Sequence, residues 1–231
     1  MIALKHLAAK DVVRDFVFGM EDGLVSNLGL VLGVYVGGGD AFVIILAGFA
    51  SMFAGAFSMS AGSYLSSKSQ REVYENEIQE TRGRLQKNPK KCYLDMRSAL
   101  VKEGLGKKEI DLLFKKSPKY KHSEFVCNYM VQRKVGISKE RLEVPLKNAL
   151  TMFFSFLIGS LFPVAPFIFL PLLPAAIMAS FLTIAALFSV GWAKTAYTKL
   201  PRFKSGLEVV LVGLGAGAIG YLVGWAVGVF G

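Results

Sequence analysis

The chain has 231 residues, 53% hydrophobic and only 19% charged, with 24 glycines and a formal net charge of +10. A soluble domain carries charge on about a quarter of its residues and spreads it over its length. Here one central block holds most of the charge and long flanking stretches have almost none. That distribution excludes a soluble globule and points to a membrane protein.

A helix that crosses the hydrocarbon core needs about 20 predominantly apolar residues. The first predicted span runs from Phe16 to Gly37, interrupted only by Glu21 and Asp22. A short Gly-Gly-Gly-Asp turn ends at Asp40, and the second span follows from Ala41 to Leu65. From Ser66 the helix is expected to continue into the polar segment SSKSQREVYENEIQETRGRLQK until Asn88-Pro89 stops it. Further short helices are predicted at Cys92 to Glu103, from near Lys107, and at His122 to Val135, with Gly104 and Gly136 as terminators. The third span is placed at Ala149 to Leu170. A proline-rich turn (Pro163, Pro166, Pro171, Pro174) leads to the fourth at Pro174 to Ala193, and the fifth covers Leu207 to Phe230. The expected fold class is therefore an all-α integral membrane protein. It has five transmembrane helices and a cytoplasmic helical insert between spans two and three. The chain divides into 1–66, 67–147 and 148–231.

Basic residues stay on the cytoplasmic side of a membrane. With five spans, the N-terminus, the 66–148 segment and the 194–206 loop share one side, and together they contain all 27 lysines and arginines of the chain. The opposite side has Asp40 and no basic residue. This partition predicts a cytoplasmic N-terminus and insert, with the C-terminus outside. The positive charge then reports topology and attraction to anionic membrane lipids. No nucleic-acid partner is expected, because no aromatic–basic recognition motif accompanies the charge. A cleaved signal peptide is not expected either, since the first apolar run is too long and contains polar residues.

Ionisable groups inside spans are costly and are candidates for function. Asp22 lies inside the first span, with Glu21 beside it, Asp15 seven residues earlier on the same helical face, and Ser26 one turn later. Glu208 near the start of the last span has a plainer reading, in which it snorkels or pairs with Lys204. On the second span Met52 and Met59 alternate with Gly48, Gly55 and Gly62, and Ser63 follows. Thioether sulfur is a weak, soft ligand that suits late first-row metals. The competing explanation is packing, which is preferred for Met52 and balanced for Met59. Gly213, Gly217, Gly220, Gly224 and Gly228 have small-xxx-small spacing that packing explains. In the insert, Glu77 and Glu80 share a helical face, although a solvated face paired with lysines is the plainer account of its glutamates. Cys92 and Cys127 lack any metal or redox spacing, and His6 and His122 stand alone. No nucleophile–base pair, phosphate loop or cofactor fingerprint suggests an enzyme.

The segments FGMEDGLVSNLGLVLGV and AGFASMFAGAFSMSAGSYLSSKSQREVYENEI, and more loosely IGSLFPVAPF, resemble the vacuolar iron transporter family, to which the yeast vacuolar iron/manganese transporter is related. The resemblance is strongest from Arg14 to Glu80. It implies a five-span homodimer with a metal path between protomers, exporting ferrous iron and often manganese from the cytoplasm in exchange for protons. It implies no cofactor, the metal being substrate. Carried over residue by residue, the aspartate of the DG motif is Asp22 and the methionine of the SM motif is Met59. The ExxE of the extended second helix is Glu77 and Glu80. Asp95 retains one carboxylate of a second pair, the metal-collecting module thus comprising Glu77, Glu80 and Asp95.

The chain also departs from the family pattern. Ser63 stands where the family has a glutamate, Ser98 replaces the partner of Asp95, and Met130 is followed by Gln132, Arg133 and Lys134 in place of carboxylates. Each lost carboxylate weakens the hold on a divalent cation. Two functions are therefore expected. One is a transporter in which Asp22 alternates between metal-bound and protonated forms. The other is a non-transporting membrane scaffold that binds lipid or a partner protein. The small size and short N-terminus suggest a prokaryotic plasma membrane, with a vacuolar membrane as the eukaryotic counterpart.

Overall fold

Glycine and proline set the breaks between helices. The computed structural model describes residues 2–87, 89–116, 144–199 and 201–230, and every element among them is helical. These are α1 (Ile2–Val36), α2 (Ala41–Lys87), α3 (Pro89–Lys102), α4 (Lys107–Lys116), α5 (Pro145–Val164), α6 (Pro166–Phe169), α7 (Leu172–Thr198) and α8 (Arg202–Phe230). Five of them, α1, α2, α5, α7 and α8, are long and apolar enough to cross a membrane. The predicted helix at 122–135, together with Cys127, Met130, Gln132, Arg133 and Lys134, lies outside the described residues.

At the end of α1, Gly39 N–H bonds to Val34 O at 2.9 Å and Gly38 N–H to Tyr35 O at 3.2 Å. This six-to-one, five-to-two pattern caps the helix and requires the left-handed φ of +89° at Gly38, where a side chain would be strained. Asp40 then starts α2 by accepting the Val43 N–H at 2.8 Å, a side-chain N-cap. From there α2 runs 47 residues without a break, as the absence of an early terminator predicted, and stops where Pro89 begins α3.

The third and fourth spans differ in register from expectation. Pro166 has no N–H to continue the ladder, so α5 ends at Val164 and four residues form the separate α6. Hydropathy alone carried the predicted span on to Leu170. Pro174 falls in the first turn of α7, where a missing N–H interrupts no intrahelical bond, so the helix starts earlier, at Leu172. Likewise α8 begins at Arg202, since backbone bonding and not apolar content decides where a helix starts.

The chain forms two compact units, Met1–Ser67 with Glu143–Gly231, and Lys68–Leu142. In the first, α1 packs against α5, α7 and α8. It does so through glycines on two faces. A Cβ at Gly19 or Gly23 would strike the α5 residues Ser155, Met152, Phe156 and Ser160, and one at Gly159 would strike Met20 O. Further along, Gly29 and Gly33 face Ala216 and Gly220, while Gly220 and Gly224 in turn abut the backbones of Gly29 and Gly33. Lipid tails are as apolar as leucine, so helices in a bilayer associate through such close backbone fits. α2 is attached differently, through side chains: Gly48 receives Val164 and Gly55 receives Phe156. Met52 is 3% exposed, a packing residue as expected. Gly62, by contrast, has open space around it.

Buried polar pairs complete the unit. Asn27 Nδ2 donates to Ser160 Oγ at 2.9 Å and to Gly23 O at 3.3 Å, and Ser160 Oγ donates to Phe156 O at 2.8 Å. Asn148 Nδ2 donates to Ser67 Oγ at 3.1 Å, tying α5 to α2. Replacing Ser160 with alanine is expected to lower stability by about 1 kcal/mol, the usual worth of an interhelical hydrogen bond in a membrane. A fall in the thermal midpoint of the detergent-solubilised protein, with Ser189→Ala (whose hydroxyl bonds only its own helix) as control, checks this.

In the second unit Ile78, Met96, Ala99 and Ile110 are buried, and Arg97 bridges to Asp111 at 2.8 Å between α3 and α4. α3 ends as α1 does, with Gly104 at a φ of +96°.

Candidate metal path

On α1 the two adjacent carboxylates point to different surroundings, because neighbouring helical residues are about 100° apart. Glu21 faces α7, with Oε1 4.0 Å from Lys194 Nζ. Asp22 lies on another face, half-buried, with exposed Phe18 one turn before it and exposed Ser26 one turn after. Ser26 Oγ donates to the Asp22 carbonyl at 2.6 Å, which leaves the carboxylate itself without a hydrogen bond or ion pair to any described residue. Asp22 sits ten residues, about 15 Å of helix, inside the Val12 end of its span. Phe18, Asp22 and Ser26 thus form a polar-centred strip that α5, α7 and α8 do not cover.

Asp15, on the same side of α1 by sequence, is 4% exposed and bridged to Arg14 at 3.1 Å, and its backbone carbonyl lies 3.5 Å from Ser155 Oγ. It is part of the α1–α5 contact. Met59 is half-buried on α2, one turn beyond Gly55 and its contact with Phe156. α1 and α2 share a core cluster around Val31 and Ile44, and no hydrogen bond joins Met59 to a described residue. Ser63 is half-buried one turn after Met59.

On the polar part of α2, Glu72 and Glu75 are taken up by Lys68 at 3.8 Å and Arg71 at 2.8 Å, the paired, solvated arrangement that was the plainer expectation. Glu77 and Glu80 are exposed, and Asp95 on α3 is half-buried. Glu80 and Asp95 each have an interaction partner. Among the described residues, no three histidine, cysteine, aspartate or glutamate side chains come together as a metal site. Glu208 does not pair with Lys204. The ion pair in this region is instead Lys194 with Glu21, a contact between residues so distant in sequence that hydropathy and spacing gave no sign of it. The buried Asn27–Ser160 pair was also missed, although Asn27 inside an apolar span was a visible clue.

Five helices long and apolar enough to cross a membrane make this an integral membrane protein, and Asp22 places a carboxylate with no described partner on an uncovered face of one of them. The profile of the VIT family matches residues 13–225, and the chain belongs to that family. Vacuolar iron transporter 1 of Eucalyptus grandis is 29% identical over 221 residues, covering 94% of this chain and 86% of that protein. The vacuolar iron transporter of Centaurea cyanus is 29% identical over 231 residues, covering 97% and 92%. Protein CCC1 of Saccharomyces cerevisiae is 24% identical over 220 residues, covering 92% and 68%. The resemblance read from the DGLVSN and SMSAGSY blocks therefore extends over most of the chain. Family membership places the protein among membrane transporters and not enzymes, with no bound cofactor required.

Proposed function

We propose that this protein exports divalent metal, ferrous iron or manganese, from the cytoplasm in exchange for protons, and that it works as a homodimer. The observation that carries the reading is the Asp22 carboxylate, free of any described partner on the uncovered Phe18–Asp22–Ser26 strip. A carboxylate facing lipid is expensive, and intramembrane acids face a bundle interior or a water-filled cavity. A second copy laid over this strip would remove Asp22 from lipid and bring two carboxylates to one axis. Single carboxylates become a metal site when duplicated, which fits the lack of a ready cluster among the described residues of one protomer.

In this mechanism Asp22 binds the metal as a carboxylate and releases it on protonation, so one group couples the two fluxes. Met59 supplies a soft, weak thioether that favours a late first-row ion without trapping it. Glu77, Glu80 and Asp95 collect the ion on the cytoplasmic side. The missing carboxylates at Ser63 and Ser98 weaken loading and shift metal preference. The N-terminus and insert face the cytoplasm in this reading, which the distribution of basic residues supports. The relatives named as vacuolar come from plants and fungi, which favours a vacuolar membrane over a prokaryotic plasma membrane as the setting.

The lack of a three-ligand cluster among the described residues also suits a scaffold that no longer transports. Reconstitution separates the two. Purified protein in liposomes should carry Fe²⁺ and Mn²⁺ under anaerobic conditions when a pH gradient is imposed, with proton movement in the opposite direction. Folded, dimeric, correctly oriented protein that moves neither ion would sink the transporter reading and leave the scaffold.

A further inference from the structure

We infer that the corner between α7 and α8 is a binding site for an anionic phospholipid, with Lys199, Arg202 and Lys204 holding the headgroup phosphate and the Phe203–Leu207–Leu211 strip taking an acyl chain. The site is independent of metal transport.

The two spans end and begin at this corner, at Ala196 and Arg202, which sets it at the boundary between hydrocarbon and water. Lys199, Arg202 and Lys204 are all exposed. No acidic residue occurs between Lys194 and Leu207, and none of the three cations forms an ion pair with a described residue. Lys194 differs from them, being taken up by Glu21. The corner therefore carries three cations outside any ion pair, and the nearest acidic residue along the chain is Glu208, one turn beyond Lys204.

It is also built to hold them in place. The Arg202 guanidinium lies over the Trp192 ring, 5.8 Å from its centroid. Phe188 packs against both Trp192 and Phe203, with centroids 5.8 Å apart in each case. Aromatic rings at this depth are typical of the headgroup boundary. Lys199 closes α7 in the left-handed region, φ 56°, with its N–H on Thr195 O at 3.0 Å. Glycine or asparagine usually occupies that capping position, because other side chains are strained there. A lysine held in this conformation brings a cation to the corner at a conformational penalty.

Below the cations, Phe203, Leu207 and Leu211 recur every four residues of α8 and are 67%, 45% and 60% exposed. Charge above and a continuous apolar strip beneath match an amphiphile. A free anion would leave the strip unused, and a nucleic acid could not follow it into the bilayer. The juxtamembrane basic cluster matches the general chemistry of anionic lipid recognition.

Native mass spectrometry of the full-length protein, titrated with phosphatidylglycerol or phosphatidylcholine, tests the inference. Phosphatidylglycerol should be retained preferentially. The triple variant Lys199→Gln, Arg202→Gln, Lys204→Gln should bind it on the order of tenfold more weakly or worse. A control triple, Lys102→Gln, Lys107→Gln, Lys108→Gln, should bind like the parent. Phe203→Ser with Leu207→Ser should also lose phosphatidylglycerol while keeping the cations. Equal losses in the two charge triples would show diffuse attraction and overturn the site. Unchanged affinity in the strip variant, with displacement by inorganic phosphate beyond that by chloride at equal ionic strength, would assign the corner to a free anion instead. Should the corner triple misfold, the parent protein still decides. Equal retention of the two lipids at low salt would reject the proposal.

Discussion

Replacing Asp22 with asparagine should abolish proton-driven Fe²⁺ and Mn²⁺ flux in liposomes, with a fall of about 100-fold or more, while the protein remains folded. Loss of groups that merely orient a ligand typically costs 10–100-fold in metal affinity or activity, and Asp22 is proposed as the ligand itself. Asparagine keeps the size and an oxygen but not the charge or the proton. The neighbouring substitution Glu21→Gln makes the comparison sharp. Glu21 faces α7 and reaches Lys194 only at 4.0 Å, a separation at which a part-exposed ion pair contributes little. Its loss should leave flux within about twofold of the parent. If Glu21→Gln silenced transport and Asp22→Asn did not, the ion would pass on the α7 side of α1. Met59→Leu, which preserves volume but removes the sulfur, should shift preference between the two metals, measured by competition in the same liposomes.

Gly224→Ala should destabilise the protein by about 1–3 kcal/mol, the range for forcing extra volume into a filled contact. A Cβ at Gly224 would collide with the carbonyl, carbonyl carbon and Cα of Gly33, and one at Gly220 with those of Gly29. These are backbone atoms, so no rotamer change relieves the clash. The helices must separate, and α1 carries Asp22. Gly215→Ala is the internal comparison: nothing lies within 4 Å of its Cβ position, and alanine is intrinsically the better helix former by up to about 1 kcal/mol. Thermal midpoints measured by fluorescence-detected size exclusion should fall for Gly224→Ala and hold or rise for Gly215→Ala. The double variant Gly220→Ala, Gly224→Ala acts on consecutive turns of one seam, so its effect should depart from the sum of the two. Equal midpoints for Gly215→Ala and Gly224→Ala would mean that the α1–α8 approach is looser than the Gly224–Gly33 contact implies.

The glycine spacing on α8 was visible as a packing signal, but spacing gave no partner. The structure supplies Gly29 and Gly33 on α1, and Gly37 just past its end. The same limitation applied to Glu21 and Asp22. Both were visible as charges inside an apolar run, and only the positions of α5, α7 and α8 show that one has a lysine and the other an uncovered face. Met52 and Met59, seven residues apart, looked alike in sequence. Burial separates them, Met52 at 3% exposure and Met59 half-buried. Span limits were least legible at prolines, since hydropathy is indifferent to a missing N–H and α5 stops where Pro166 follows.

The amino-acid sequence alone determined the class of the protein, the number of spans, the long second helix, the family and the presence of a carboxylate inside the first span. Those properties follow from local quantities: the length of apolar runs, the presence of helix breakers, and the cost of charge in hydrocarbon. The tertiary structure decided which face of α1 is open, that Asn27 meets Ser160 from 133 positions away, that α1 and α8 join through glycine, and that Arg202 lies over Trp192. In a bilayer no gradient of hydrophobicity tells one apolar helix from another. Partners are chosen by shape and a few polar contacts, and these exist only once the helices are side by side.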